Sequence, residues 1–115
     1  MEAQNKVSVF VGNFSSEEDF KKFIKESFTE DGDISSELMN ELKVDFIDSQ
    51  FQEIYFSENG ISKDILNNFS YSENFISYIK RDLLEYNSII FLYNFQFKKP
   101  QNLSKIELLG VFDYR

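Results

Sequence analysis

The sequence predicts a single α+β domain over residues 1–115: a three- to four-stranded mixed sheet with a C-terminal antiparallel hairpin, packed against about three to four helices. Three observations carry this expectation. Val7–Gly12 (VSVFVG) alternates side chains as a strand does, with apolar groups on both faces. Two later stretches, 16–28 and 72–86, repeat apolar residues at helical spacing. Two more strand-like runs, 87–97 and 106–114, close the chain. With 115 residues, 42% of them hydrophobic and 14 of them Phe, the chain has material for one real core. Four Gly and one Pro are too few for a disordered or low-complexity chain.

Val7, Val9 and Val11 share one strand face, Ser8 and Phe10 the other, which predicts an inner strand. Ser15-Ser16-Glu17-Glu18 reads as a capping box, Ser15 taking a first-turn amide and Glu18 reaching back. Phe20, Phe23, Ile24 and Phe28 then make the apolar stripe of one helix. Thr29–Asp33 breaks it, and a shorter helix is expected over Ser35–Lys43 with Ile34, Leu38 and Leu42 stacked. Residues 45–57 fit either a short helix opened by Asp48 or an edge strand through Ile54 and Phe56. Glu58-Asn59-Gly60 is a turn, and 62–68 one or two helical turns. The clearest helix of the second half is expected over Ser72–Tyr86, burying Phe75, Ile76, Ile79, Leu83 and Tyr86, with Tyr71 stapled onto Ile76. Residues 87–97 form a long strand, 98–103 a loop, and 106–114 a last strand that pairs with it as a hairpin. No internal repeat or linker interrupts the pattern.

Charge bounds the partner. Twelve Lys and Arg against 20 Asp and Glu give a net −8. The excess lies in residues 1–60, which hold 14 acids against 5 lysines, whereas 61–115 hold 6 acids against 7 bases. Such a half repels phosphate, so nucleic acid is not an expected partner. It attracts a basic protein and speeds encounter with it. Solubility alone also accounts for an acidic balance. No apolar run approaches the roughly 20 residues that cross a bilayer, so no membrane partner is expected. MEAQNKVSVF does not read as a secretory signal and Cys is absent, which together predict a cytoplasmic protein.

The missing residue types narrow the chemistry. With no His and no Cys, a Ser-His-Asp triad, a histidine base and the usual zinc sites are excluded. Gly12, Gly32, Gly60 and Gly110 stand alone, so no phosphate loop is present. Asp31-Gly32-Asp33 with Ser35 and Glu37 resembles the start of a calcium loop. Its sixth position is Ser36 rather than Gly, however, and its twelfth is Leu42 rather than Glu. A turn between two helices, with Gly32 at positive φ, is the better account. Gly12-Asn13 reads first as a strand-to-helix corner. Tyr71, Tyr93 and Tyr114 are the tyrosines expected to keep a hydroxyl at the surface. Lys80-Arg81 and Lys98-Lys99 are too short to mark a nucleic-acid surface. No catalytic set, cofactor or metal is expected.

Taken together, Val7–Phe14, Asp31-Gly32-Asp33, Phe69-Ser70-Tyr71-Ser72 with Phe75, Leu92-Tyr93-Asn94-Phe95 and Gly110-Val111-Phe112 resemble the immunity protein 22 family of bacterial polymorphic toxin systems. The resemblance runs in order through nearly the whole chain. Phe10 stands where members often carry Trp, a change that keeps a large ring. The resemblance implies an antitoxin: a small intracellular protein that binds a co-produced toxin domain and blocks it, with no catalysis of its own. Many toxin domains of such systems are nucleases with basic faces, which an acidic protein can occupy by mimicking the charge of the substrate.

The residues expected to meet such a toxin are Glu30, Asp31 and Asp33, then Glu37 and Glu41, then Asp45 and Asp48, with Asn13, Tyr71 and Tyr93 adding hydrogen bonds or an aromatic anchor. A monomer is expected, or a weak homodimer through an exposed sheet edge. Two other classes compete: a carboxylate- or metal-dependent enzyme joining Asp31 or Asp33 to Asp45 or Asp48, and a generic adaptor with no toxin partner.

Overall fold

The computed structural model describes residues 2–44, 46–97 and 103–115. Its centre is strand β1 (Glu2–Gly12), longer than the alternation alone indicated. The other strands of its sheet are β4 (Gln52–Phe56), β5 (Ser88–Phe95) and β6 (Ile106–Asp113), in the order β4-β5-β1-β6. Every pairing is antiparallel, so the sheet is not mixed. The last two strands flank β1 on its two sides and so are not hydrogen-bonded to each other. The reason is the apolar character of β1 on both faces. Placed between two neighbours it loses both edges as well, and Val7, Ser8, Val9, Phe10 and Val11 are all at most 1% exposed. Of the loop expected over 98–103, residues 98–102 lie outside the described residues.

Each sheet face carries its own core. Val7, Val9 and Val11 pack with Ile89, Phe91 and Tyr93 of β5 against Ile61, Leu66, Phe75, Ile79 and Leu83. On the opposite face Phe10, Ile90 and Leu92 meet helices α1 (Glu17–Ile24) and α2 (Glu37–Leu42) through Phe20, Phe23, Leu38, Met39 and Leu42. A third helix, α3 (Lys63–Leu66), is capped by Ser62 and falls within the helical turns expected there. The fold is thus the expected single α+β unit, with its strands shared among neighbours differently.

Local differences have local causes. The cap of α1 is Ser16, not Ser15: its hydroxyl accepts from the Asp19 amide at 3.1 Å. That frame places Glu17, Glu18 and Asp19 in the first turn, where the helix dipole favours acids. The helix stops at Ile24, so Phe28 is not part of its stripe. Instead Phe28 belongs to β2 (Ser27–Phe28), which pairs with β3 (Ile34–Ser35) across the Asp31-Gly32-Asp33 turn. Gly32 has φ 86°, the positive value expected, although the turn joins two short strands rather than two helices directly. Ser36 caps α2, and Leu38 and Leu42 are buried as expected, while Ile34 lies outside the helix. Both readings of 45–57 hold in part: Asp48 caps a 3-10 turn at Ser49–Phe51, and β4 follows as an edge strand.

The long helix expected over Ser72–Tyr86 is not formed. Two 3-10 turns, Ser72–Asn74 and Ile76–Tyr78, precede an irregular segment. Phe75, Ile79 and Leu83 are nevertheless buried. Their backbone is held from outside the segment. Lys63 Nζ donates to the Ile79 carbonyl at 2.8 Å, and the Ile61 amide donates to the carbonyls of Leu83 and Tyr86. Those acceptors are therefore taken by tertiary partners instead of a helical ladder. Tyr71, left-handed at φ 59°, lies against the rings of Tyr93 and Tyr114, with no helix for a staple to close. Tyr93 and Tyr114 are buried rather than presenting surface hydroxyls. The Tyr93 hydroxyl sits 2.8 Å from Glu53 Oε1 and 2.7 Å from the Ser70 carbonyl, and that of Tyr114 donates to Asn94 Oδ1.

The Gly12-Asn13 corner is a structural joint. A Cβ on Gly12 would meet the Lys105 carbonyl oxygen at 2.7 Å, so only glycine allows this approach. Asn13 Nδ2 donates to the Glu85 carbonyl at 3.0 Å, and its Oδ1 accepts from the Asn87 amide at 3.0 Å. Asn87 answers with its side chain, accepting from the Phe14 amide and donating to the Phe14 carbonyl. Asn87→Ala removes that reciprocal pair and is expected to destabilise the fold by about 2 kcal/mol, mostly for the unsatisfied groups left behind. Urea unfolding of the two proteins measures it, and a loss below about 0.5 kcal/mol would show that water replaces the amide.

Candidate functional site

The large apolar side chains exposed among the described residues are Phe28, Ile34, Phe46, Phe51, Tyr71, Tyr78 and Leu84. The first four make one continuous face. Phe28 and Ile34 are directly opposite across β2 and β3, so their side chains emerge on the same side. Ile34 and Phe46 line one concavity together with Asp33, Met39 and Val44. Phe46 and Phe51 line a second, of about 380 Å³, with Asp48 and the end of β5.

The local sequence explains the exposure. Helix α2 ends at Lys43 in the left-handed conformation, and the chain then drops Ile47 into the core, where it is 5% exposed. Phe46, its neighbour, is left outside at 61% exposed. Asp48 Oδ1 accepts from the Gln50 amide at 3.0 Å, closing the 3-10 turn that presents Phe51. Contiguous exposed aromatics among polar groups are the usual mark of a surface that meets another molecule.

The residues expected from sequence to form the site divide. Asp33, Asp48 and Tyr93 line the two concavities, and Glu30 and Asp31 lie exposed in the same turn as Asp33. Asp45 lies outside the described residues. Glu37 and Glu41 engage the start of β6. Glu37 pairs with Lys105 Nζ at 2.9 Å, while Glu41 accepts from Ser104 Oγ and from the amides of Lys105 and Ile106. Asn13 holds the corner described above, and Tyr71 stacks beneath the Arg115 guanidinium, 5.1 Å from it. Phe28, Phe46 and Phe51 were not among the expected site residues. Helical spacing assigned Phe28 to a buried stripe, and the signal for the other two was an aromatic pair bracketing the acid Asp48.

The strongest electrostatic coupling lies mostly elsewhere, Tyr93 being the shifted group that also lines a concavity. The Arg81 guanidinium bonds Glu107 and holds its carboxyl below the usual range, and Glu107 in turn raises Arg81. Burial, with the Glu107 hydrogen bond second, pushes the Tyr86 phenol up to about 12. Burial and Glu53 likewise raise Tyr93, and Glu37 raises Lys105. Every one of these shifts moves a group away from neutrality, the opposite of what a general acid or base working near pH 7 needs. Among the described residues no group of three or more Asp or Glu is placed to hold a metal ion.

The sequence profile described as immunity protein 22 matches residues 7–115, which include every residue of this face. The chain belongs to the immunity protein 22 family. No curated protein and no solved structure matches it. Membership supports an immunity role in general and implies a toxin as the partner. No helix among the described residues is long and apolar enough to cross a membrane.

The Arg81–Glu107 pair has a pH signature. Because the folded pKa of Glu107 is depressed, its stabilisation is fully present above the ordinary value of 4.5 and is lost as pH falls through the lower folded value. Both partners are about half exposed, so screening limits the term to roughly 0.5–1 kcal/mol. Glu107→Gln is expected to lower stability by that amount at neutral pH and to match the parent protein once the carboxyl is protonated. Denaturant titrations across that range measure the difference, and one independent of pH would show that the pair acts through packing alone.

Proposed function

We propose that this immunity protein neutralises one toxin domain in the cytoplasm of the producing cell by stoichiometric binding through the Phe28–Ile34–Phe46–Phe51 face. The observation that carries this reading is the contiguity of those side chains beside Asp33 and Asp48, in a chain of an immunity family. The toxin's contacting face is basic and of nuclease type, and the protein acts on it as a monomer. Apolar rings desolvated at the centre supply affinity, while the acids of the β2–β3 turn, fully in water, steer the encounter. An enzymatic reading has less support, since the shifted groups are held in structural pairs, Tyr93 at the cavity wall included, its hydroxyl bound to Glu53 and the Ser70 carbonyl.

Co-expression with the toxin encoded beside it tests the role: the chain is expected to restore survival and to co-purify in a one-to-one complex, and killing undiminished by the chain would end the reading. The steering is tested separately. Asp31→Lys with Asp33→Lys is expected to slow association about tenfold or more at low salt, to flatten its salt dependence, and to change dissociation little. Stopped-flow association across ionic strengths reads this, and unchanged kinetics would remove the turn from the interface.

A further inference from the structure

We infer that the cavity of about 380 Å³ between Phe46, Phe51 and the end of β5 is an anchor pocket for one arginine side chain presented by the toxin's surface. The inference deepens the function proposed above and relies on it only for the source of the arginine.

The chemistry of the walls selects the occupant. Phe46 and Phe51 offer aromatic surface at the mouth, suited to a weakly hydrated planar guanidinium. Ile47 and Leu92 give the methylene stem an apolar lining. Among the described residues that line the cavity, Asp48 is the one charged residue. One of its oxygens holds the Gln50 amide, and among the described residues Asp48 forms no ion pair, so the carboxylate has acceptor capacity for a cation. The strand beside it is open on one side. Pairing of β5 with β4 ends at Leu92, so residues 93–95, which line the cavity, have no strand on their β4 side. An arginine, with five donors in a fixed fork, can grip the carboxylate through paired hydrogen bonds while its plane lies on an aromatic ring, whereas lysine is a point charge.

Other occupants fit less well. An apolar plug would strip water from Asp48 without giving it a partner, which disfavours it. A second copy of this chain would have to bring Arg81 or Arg115, its two arginines. Arg81 is engaged by Glu107 and Tyr86, and Arg115 by the rings of Tyr71 and Tyr114. The cavity lies at the small end of ligand pockets, which run from about 300 to 1,000 Å³. A single side chain suits it better than an extended segment.

The test uses the full chain and two small probes, N-acetyl-arginine amide and its neutral isostere N-acetyl-citrulline amide, with N-acetyl-lysine amide for comparison, followed by amide shifts in NMR. The arginine probe is expected to shift residues 46–51 and 92–95 with millimolar affinity. Citrulline and the Asp48→Asn variant should each weaken that response about fivefold or more. Asparagine can still cap the 3-10 turn, so this variant keeps the fold. Equal responses to both probes, arginine shifts centred on Glu30–Asp33, a stronger response to N-acetyl-lysine amide, or indifference to Asp48→Asn would each overturn the assignment. With the toxin in hand, Phe46→Ala and Asp48→Asn are each expected to weaken binding about 10- to 100-fold. Wild-type rescue combined with unaltered affinity of both variants would sink the pocket and leave the immunity role standing. Arginine binding that depends on Asp48, without rescue of cells, would sink the role and leave the pocket.

Discussion

Everything in this molecule is arranged around a strand that cannot be exposed on any side. β1 carries valines on one face and Phe10 on the other, and both faces are covered. Both of its edges are paired as well. Even its serine is internal: Ser8 Oγ donates to the Phe95 carbonyl and accepts from the Phe97 amide, tying off the end of β5 where the ladder becomes irregular. A strand so placed forces two layers of cover. Helices α1 and α2 supply one, and the turns between α3 and β5 supply the other. It also forces the C-terminal strands apart, because β6 must take the edge that β5 leaves open.

That constraint explains why some of the architecture was legible in the sequence. Alternation with both faces apolar identified β1 as internal, and the same reasoning placed β5 and β6. Serine before a run of acids marked the start of α1 to within one residue, and Leu38 and Leu42 marked the buried side of α2. Strand order was not legible, since nothing in the local pattern of β6 says which neighbour it joins. The segment 72–86 shows a deeper limit. Phe75, Ile79 and Leu83 are spaced as on a helix and are buried together, yet the backbone is not helical. Periodicity reports which side chains reach the core. It says nothing about where the carbonyls go, and here Lys63 and Ile61 claim several of them.

The candidate face was half legible for a related reason. The acidic character of the first half pointed to Glu30, Asp31, Asp33 and Asp48, which the fold leaves exposed or at a cavity wall. The same reasoning could not separate them from Glu37 and Glu41, whose carboxylates are fasteners between α2 and β6. Composition counts both kinds alike, whereas only a charge with acceptor capacity left over can act on another molecule. Aromatic residues pose the mirror problem. Most of the Phe residues lie in the core or pack against it, so the prior for each is burial, and Phe46 escapes because its neighbour Ile47 takes the inward position.

On the proposed function, this division gives the face its working logic. Long-range attraction needs charge held out in water, and the β2–β3 turn holds it there on a two-residue ladder that contributes little to the core. Short-range affinity needs surface that is costly to leave wet, and Phe46 and Phe51 provide it beside a carboxylate that an apolar partner would strand. A neutral or acidic partner therefore loses twice, at approach and again at contact. On the proposed reading, specificity for a cationic target follows from placing the two terms side by side, without requiring that either be strong alone.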